Sequence, residues 1–317
     1  MSELIGALQM AIFRLVRAKS ALNVLKRRDP WYGCDYTLNP YRGCEFSCIY
    51  CYGLASRWKA RYDRARGAGP TLDAFFDERP GEVEERRLGL GQEVLVKTNI
   101  PVLLRREVGR RRPGVVFIGS ITEPYQPCEA RFRLTERCIR ILHEHGWPIE
   151  IGTKADLILR DAELLAHISE EGACRIFITI TTLDNSLARW LEPRAPSPGR
   201  RLEVVERLSQ LGIPTCVCMI PVFPGLTDEE EAISEVAEAA RACGAERFLA
   251  GALTLPGEVR KRFFSFLTAR FPELVPLYER IYGPSGYPDR AYEKSLMHMI
   301  EGIRKRMGLA GELAPEH

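Results

Sequence analysis

Short runs of β-branched residues alternate with helical stretches along most of this chain, and that rhythm restricts the possible folds more than any other feature. The runs are 36–38, 93–98, 115–121, 149–153, 175–182, 215–220 and 247–253. Helical patterns lie near 131–145, 159–171, 200–211 and 228–243, and each ends at or near a glycine, as many helices do: Gly146, Gly172, Gly212 and Gly244. This order predicts βαβ units on a parallel sheet.

The strands of this predicted sheet carry polar residues on one face. Successive side chains of a strand point to opposite faces, so Thr179 and Thr181 lie opposite the isoleucines of the same run. Glu150, Gly152 and Lys154 share a face in the run before it. A parallel sheet covered by helices on both faces is apolar almost throughout. A polar face therefore predicts a curved sheet or barrel whose lumen holds a polar ligand, unless these positions are solvated strand ends.

Composition narrows the class of protein. Hydrophobic residues make up 45% and charged residues 27% of the 317 positions, which excludes disordered and collagen-like chains. Lys and Arg number 45 against 42 Asp and Glu, so the net charge is only +3 and attraction to phosphate would come from local patches. Because no run of 18 uncharged apolar residues is present, we expect no membrane span and a cytoplasmic enzyme.

Three regions are expected along the chain. Residues 1–30 hold an amphipathic helix over 3–27, residues 31–254 hold the core, and residues 255–317 form a helical C-terminal extension. Such a basic helix packs on its own domain in most proteins, although it can also lie on a membrane or on nucleic acid. Ten unevenly spaced cysteines in a chain of this size predict reduced thiols rather than disulfides.

Three of these thiols lie within eight residues. Cys44, Cys48 and Cys51 have the spacing C-x3-C-x2-C in a loop after the first predicted strand. Structural zinc sites take four ligands, often as two pairs, and the sequence offers no second C-x2-C or H-x3-H pair. A four-iron cluster normally takes four thiolates, so three would leave one iron open to another ligand. A zinc site and chance clustering of thiols in an apolar loop are the alternatives.

On these residues the chain resembles the radical S-adenosylmethionine superfamily, whose signature has an aromatic residue before the third cysteine, as Tyr50 is here. Further blocks are similar to its spore photoproduct lyase-like subgroup, in which aspartate is commoner than glutamate at the position of Glu123. These blocks are 39–44, 48–52, 121–127 (I-T-E-P-Y-Q-P), 153–154, 178–183, 191–196 (L-E-P-R-A-P) and 221–228.

The resemblance implies a fold, two cofactors and a partner. The fold is α/β, a partial (β/α)6 radical SAM barrel with an N-terminal helix and a helical C-terminal extension. A [4Fe-4S] cluster held by Cys44, Cys48 and Cys51 would chelate S-adenosylmethionine at its open iron. One electron from an external donor such as ferredoxin or flavodoxin would then yield a 5′-deoxyadenosyl radical that removes hydrogen from a substrate.

The resemblance also implies five contacts to S-adenosylmethionine. Tyr50 would present backbone groups to the adenine, and Thr179, Lys154 and Glu123 would contact the methionine or the ribose. Arg194 would pair with the carboxylate of the methionine. A Lys154–Glu123 ion pair in the lumen would give those two residues an equally good structural role.

The substrate stays open. True spore photoproduct lyases use a thiol as hydrogen donor, and the resemblance aligns Ser120 with that thiol, so thymine-dimer repair would require another cysteine to approach: Cys34, Cys128 or Cys218. Cys218 shares a strand face with Cys216, where both are expected to pack as small buried hydrophobes. No catalytic side chain beyond the cofactor site is therefore predicted.

Two arginine-rich segments make nucleic acid or a nucleotide a candidate substrate. One holds Arg57, Arg61 and Arg64 beside Trp58 and Tyr62, and the other is 105–112. Such patches bind phosphate backbones, although solvated helix faces look the same. The same radical chemistry on a peptide, a natural product or a small metabolite is the alternative. An alternative from another class of function is a structural or sensing module that binds an iron–sulfur cluster or zinc without catalysis.

Overall fold

Two β-sheets form the framework of the molecule, for which a computed structural model describes residues 11–29, 31–54, 93–283 and 286–309. The larger sheet has seven strands in the order β10-β9-β8-β7-β6-β3-β2, and the smaller has the order β1-β5-β4. The strands are β1 Ile12–Val16, β2 Leu22–Val24, β3 Tyr36–Leu38, β4 Tyr41–Arg42, β5 Glu93–Lys97, β6 Val116–Ile118, β7 Ile149–Thr153, β8 Cys174–Thr179, β9 Thr215–Val222 and β10 Arg247–Ala252.

Six strands of the larger sheet are parallel, and helices connect most of them. Strands β3, β6, β7, β8, β9 and β10 pair in parallel, and β2 adds an antiparallel edge beside β3. This α/β arrangement confirms the predicted partial (β/α)6 barrel. The helices are α1 Ile100–Val108, α2 Glu129–Phe132, α3 Leu134–Glu144, α4 Ala162–Glu170, α5 Asn185–Leu191, α6 Pro198–Gln210, α7 Glu230–Ala242, α8 Glu258–Arg270, α9 Val275–Ile281 and α10 Arg290–Met307.

The glycines that follow the barrel helices have the predicted role. Gly146, Gly172, Gly212 and Gly244 all have φ between +68° and +86°, and each lies just after α3, α4, α6 or α7. A residue with a Cβ is strained in that conformation. Each glycine therefore lets the chain turn from a helix into the next barrel strand.

The prediction of an N-terminal helix over 3–27 is wrong for the described part of that segment, which forms β1 and β2. The polar side chains of Asn99, just before α1, and Glu107, near its end, explain the difference. Asn99 exchanges two hydrogen bonds with the backbone of Ala18, and Glu107 accepts from the backbone N–H groups of Ala21 and Leu22 at 2.7 and 3.1 Å. These partners satisfy backbone groups that a helix would pair internally.

The run 93–98 is a strand, but it does not lie in the barrel as expected. Strand β5 pairs in parallel with β1 and antiparallel with β4, in the smaller sheet. Its alternating Val94 and Val96 are fully buried against Tyr41 and Leu134. The alternation thus marks burial of one face correctly, while the choice of pairing partner depends on tertiary packing.

The lumen face of the barrel is less polar than predicted. Phe117, Phe177, Cys216, Cys218, Leu249 and Cys34 form an apolar cluster separate from the core under the helices. The Tyr32 ring fills it, with its centroid 4.4 Å from that of Phe117 and 5.2 Å from that of Phe177. Cys216 and Cys218 are therefore small buried residues on one face, as expected. Polar groups remain at Glu150 and toward the carboxyl ends of the strands.

The C-terminal helices pack onto the barrel. Helix α10 contacts α7 and β10, and α8 contacts the 3-10 turn at Tyr52–Leu54 that follows the cysteines. In the parts of the chain that the structure covers, no helix has both the length and the apolar character needed to cross a membrane.

Candidate active site

The three cysteines lie on one loop, residues 43–51, which we call the cysteine loop. It begins where β4 ends, at Gly43, whose φ is +86°. A Cβ on Gly43 would lie 2.4 Å from the carbonyl oxygen of Glu93, so only glycine allows the loop to approach β5 this closely. Within the loop the N–H of Phe46 donates to Sγ of Cys44 at 3.4 Å.

The segment 120–128, which we call the brace, holds the cysteine loop by hydrogen bonds. Thr122 Oγ1 donates to the carbonyl oxygen of Gly43 at 2.6 Å, and Gln126 donates to the same oxygen at 3.3 Å. Gln126 Oε1 accepts from the N–H of Glu45, and the Glu45 carboxylate accepts from the N–H of Cys128 at 2.7 Å. The brace contains the block 121–127, which resembles the spore photoproduct lyase-like subgroup. This block therefore supports the cysteine loop.

Glu123 lies in this brace, and both oxygens of its carboxylate accept hydrogen bonds. It accepts from the N–H of Tyr125 at 3.0 Å, from the N–H of Lys154 at 2.9 Å and from the Thr153 hydroxyl. Burial raises the pKa of Glu123 in spite of these hydrogen bonds. Its observed role is to join the brace to the end of β7, and its contact with Lys154 runs through the backbone N–H. A contact to S-adenosylmethionine stays a prediction.

A buried ion pair supports Tyr50 from the other side. Glu192, at the end of α5, accepts hydrogen bonds from the Tyr50 hydroxyl, the Thr181 hydroxyl and the Arg201 guanidinium. Arg201 is 1% exposed and also donates to the carbonyl oxygens of Pro196 at 2.9 Å and Thr179 at 3.0 Å.

The sequence reasoning missed Arg201. A signal for it exists in the helical spacing, because Arg201 shares the buried face of α6 with Val204, Val205 and Leu208. A charged residue at such a position needs a buried partner of opposite charge. That partner, Glu192, belongs to the predicted L-E-P-R-A-P block.

Lys154 extends over the cysteine loop. Its Nζ lies 5.8 Å from the centroid of the Tyr50 ring. Burial alone would lower its pKa, but the neighbouring Cys48 and Glu192 raise the pKa above its usual value, so the ammonium group stays charged. Thr179 lies on the lumen face in register with Cys218 on β9. The structure thus brings Tyr50, Lys154 and Thr179 to one end of the barrel.

Other predicted residues lie elsewhere. Arg194 is exposed on the turn between α5 and α6, and its predicted pairing with a carboxylate stays a prediction. The segment with Arg57, Arg61, Arg64, Trp58 and Tyr62 lies outside the described residues. The arginine-rich segment 105–112 ends α1 and is exposed for the most part, with ion pairs from Arg105 to Glu144 and from Arg111 to Glu107.

The donor set of the cysteine loop fits an iron–sulfur cluster. Burial raises the pKa of the Cys48 thiol to about 12, although Lys154 and Arg201 oppose the shift, and burial also raises the pKa of Cys44. Buried thiols of this kind become thiolates when a metal replaces the proton. The third thiol also packs closely against a glycine, because a Cβ on Gly53 would lie 3.3 Å from Sγ of Cys51 and 2.6 Å from the carbonyl oxygen of Ile121.

Relatives of known sequence share most of the chain. An uncharacterised protein of Mycobacterium tuberculosis is 31% identical over 307 residues, which cover 96% of this chain and 83% of that protein. An uncharacterised protein of Methanocaldococcus jannaschii is 27% identical over 221 residues, covering 69% of this chain and 71% of its own.

Solved structures show the same fold. A spore photoproduct lyase mutant with bound AdoMet and dinucleoside spore photoproduct superposes with a TM-score of 0.63 at 11% identity, covering 92% of this chain and 78% of that one. The family model described as the Radical SAM superfamily matches residues 38–237. Because that match spans well over half of the chain and includes all three cysteines of the braced loop, the chain belongs to the radical SAM superfamily.

Proposed function

We propose that this protein is an enzyme that reductively cleaves S-adenosylmethionine and uses the resulting radical to remove hydrogen from a substrate. When bound, a [4Fe-4S] cluster supplies the electron that breaks the sulfonium bond and yields the 5′-deoxyadenosyl radical. The observation that carries the proposal is the cysteine loop itself, with three thiols on a loop held by the brace and faced by the cations Lys154 and Arg201.

The protein's own residues would position and neutralise these groups. Cys44, Cys48 and Cys51 would hold three irons of the cluster. Lys154 and Arg201 offset the negative charge that thiolates bring into a buried site, as their effect on the Cys48 pKa indicates. Glu123 holds the backbone of Lys154 in place, so the ammonium group is aimed over Tyr50.

The contacts to S-adenosylmethionine are part of the proposal. Tyr50 would bind the adenine through backbone groups, and Lys154 and Thr179 would bind the methionine or ribose from the carboxyl ends of β7 and β8. Parallel α/β folds bind ligands at that end of their strands. The apolar filling around Tyr32, Phe117 and Phe177 occupies the lumen and would keep water away from a radical.

Anaerobic reconstitution with iron and sulfide tests the proposal. We expect about four iron and four sulfide per chain, since a cubane cluster holds that number. With dithionite and S-adenosylmethionine, the loaded protein should release 5′-deoxyadenosine, and Cys48→Ala should not. Bound zinc with no 5′-deoxyadenosine would support the non-catalytic module instead. A physiological one-electron donor such as ferredoxin or flavodoxin should replace dithionite.

Nucleic acid or a nucleotide is the substrate class that we propose to test first. The exposed arginines of the segment 105–112 support it. We expect 5′-deoxyadenosine to form faster with an oligonucleotide than without one, and binding to weaken as salt rises. A rate indifferent to oligonucleotides but raised by a peptide or a small metabolite would favour that alternative.

A further inference from the structure

An arginine of the C-terminal extension has a buried nitrogen atom that finds no acceptor in the described part of the chain. Arg262 lies in α8, and its Nη1 is buried with no hydrogen-bond partner among the described residues. Guanidinium groups are strong donors, and a buried donor without an acceptor destabilises a folded protein. The position therefore calls for an acceptor that the described residues do not supply.

The packing of α8 brings this helix against the turn that follows the third cysteine. Helix α8 contacts the 3-10 turn at Tyr52–Leu54, and that turn contains Gly53, next to Sγ of Cys51. Phe263, the next residue of α8, stacks on Phe223 with ring centroids 5.7 Å apart and planes at 9°. Phe223 in turn contacts the edge of the Tyr50 ring. The helix is thus anchored to the residues on both sides of Cys51.

The charge of Arg262 is matched to the same cysteine. Burial lowers the pKa of Arg262. A negative charge on Cys51 opposes this shift, and its effect is larger than that of the Glu258 carboxylate. A cluster held by Cys51 would bring anionic sulfur atoms, which are acceptors of the missing kind. Arginine forms its strongest hydrogen bonds with anionic acceptors.

We propose that Arg262 is a positioning residue for the cluster, donating a hydrogen bond from Nη1 to a sulfur atom of the bound cluster beside the iron that Cys51 would ligate. This inference rests on the proposed function. Hydrogen bonds to cluster sulfurs and nearby positive charge favour the more negative, reduced state. Arg262 therefore makes the cluster easier to reduce, and the C-terminal extension completes the cofactor site.

A redox titration of the reconstituted protein, followed by electron paramagnetic resonance, tests the inference independently of turnover. The variants are Arg262→Gln, Arg262→Lys and the control Lys261→Gln, which removes one positive charge from the adjacent, exposed position of the same helix. We expect Arg262→Gln to disfavour cluster reduction about tenfold, which is about 59 mV for a one-electron couple. Lys261→Gln should change the equilibrium of cluster reduction less than about twofold.

The two other outcomes separate the inference from the function on which it rests. An unchanged potential in a fully loaded Arg262→Gln protein overturns the inference and leaves the proposed function intact. Absence of a cluster from the wild-type protein overturns both. Arg262→Lys should lie between wild type and Arg262→Gln, because it keeps the charge but loses the planar fork of donors.

A second, independent group of side chains faces outward between two helices. His143 near the end of α3, His167 in α4 and Glu171 just after α4 each offer one ligand atom, and these atoms lie within 4.8 Å of one another. His143 Nδ1 lies 3.7 Å from the Glu171 carboxylate, and the two imidazole rings meet edge to face with centroids 5.4 Å apart.

We infer that these three residues bind a divalent cation of the zinc type. Two imidazole nitrogens and one carboxylate oxygen are ligands that zinc takes, with a water molecule able to complete a tetrahedron. The side chains of His167 and Glu171 are more than half exposed, so they are free to close the remaining distance around an ion. Such an ion would join α3 to α4, away from the thiolates of the cysteine loop.

Zinc titration of metal-free protein tests this site. Replacing Cys44, Cys48 and Cys51 by alanine removes the competing thiolates, and we expect that variant to bind one zinc. His143→Ala or His167→Ala added to it should weaken the affinity at least about tenfold, whereas the control His145→Ala should not.

Cobalt bound to the wild-type protein gives a second readout, because only thiolate ligation produces an intense sulfur-to-metal charge-transfer band. We expect part of the bound cobalt to lack that band, and this fraction to disappear in His143→Ala. Zinc binding that is absent from the triple variant, or a cobalt spectrum unaffected by His143→Ala, overturns the inference.

Discussion

The residues around Tyr50 show how strongly the site depends on single buried charges. Glu192 and Arg201 are both almost fully buried, and they hold Tyr50, the 191–196 segment and β8 together. Burial alone would raise the pKa of Glu192, yet Arg201 and Lys154 hold it below the usual value. The carboxylate is therefore charged and depends on its partners.

Removing the cation of this pair should destabilise the protein. We expect Arg201→Met to lower the free energy of unfolding by about 3–5 kcal/mol, because it leaves a buried carboxylate uncompensated. Urea denaturation measures the change. The double variant Arg201→Met with Glu192→Leu should recover much of the loss, and a single variant that costs less than about 1 kcal/mol would contradict this account.

Glu150 should make stability depend on pH. It is buried in the lumen, and burial raises its pKa to about 7, although Arg175 at 3.1 Å opposes the shift. The folded state therefore holds this proton more tightly than the unfolded chain, where the pKa is about 4.3. The free energy of unfolding should lose about 4 kcal/mol as the pH rises through the interval between these two values.

The variant Glu150→Gln isolates that effect. It cannot lose a proton, so its stability relative to the wild type should improve between pH 5 and pH 8 in urea denaturation. A difference between the two proteins that is the same at both pH values would contradict the assignment.

Sequence spacing alone was enough to group the three cysteines on one loop, because residues of one short loop are also neighbours in the chain. It did not identify Arg262, because α8 approaches the cysteine loop only through its packing on the turn at Tyr52–Leu54. The hydrogen bonds of Glu123 were equally hidden, since they join segments about 30 residues apart.

At the scale of secondary-structure elements, features set by neighbouring residues could be predicted, whereas features set by tertiary contacts could not. The four glycine-terminated helices were predictable, because capping depends on the nearest residues. The segment 12–24 was not, since its backbone is held by Asn99 and Glu107, more than 80 residues away. A helical spacing of apolar residues cannot reveal partners at that distance.

Two glycines with positive φ allow the close approach of the cysteine loop to be tested. Gly43→Ala places a Cβ 2.4 Å from a carbonyl oxygen, whereas a Cβ at Gly146, with φ of +68°, meets nothing within 4 Å. We expect Gly146→Ala to cost about 1 kcal/mol, from backbone strain alone. Gly43→Ala should cost more and reduce the iron retained after reconstitution. Equal losses of stability and full iron in both variants would contradict this role.

For the whole molecule, the βαβ rhythm was enough to predict a parallel sheet with helical connections, because right-handed parallel connections leave few other arrangements. The partial (β/α)6 barrel was an implication of the family resemblance. The rhythm could not predict that β5 leaves the barrel for the smaller sheet with β1 and β4, since the alternation of buried residues is the same in either place. The packing of α8 on the turn that follows the cysteines was likewise invisible in the sequence.

The central claim is that three thiols of the cysteine loop hold a four-iron cluster and leave one iron open. Mössbauer spectroscopy of protein reconstituted with ⁵⁷Fe, with and without S-adenosylmethionine, tests it most directly. The account predicts that one iron in four changes its isomer shift when S-adenosylmethionine is added. Four irons that all stay unchanged, or a protein that takes up zinc in place of iron, would contradict it.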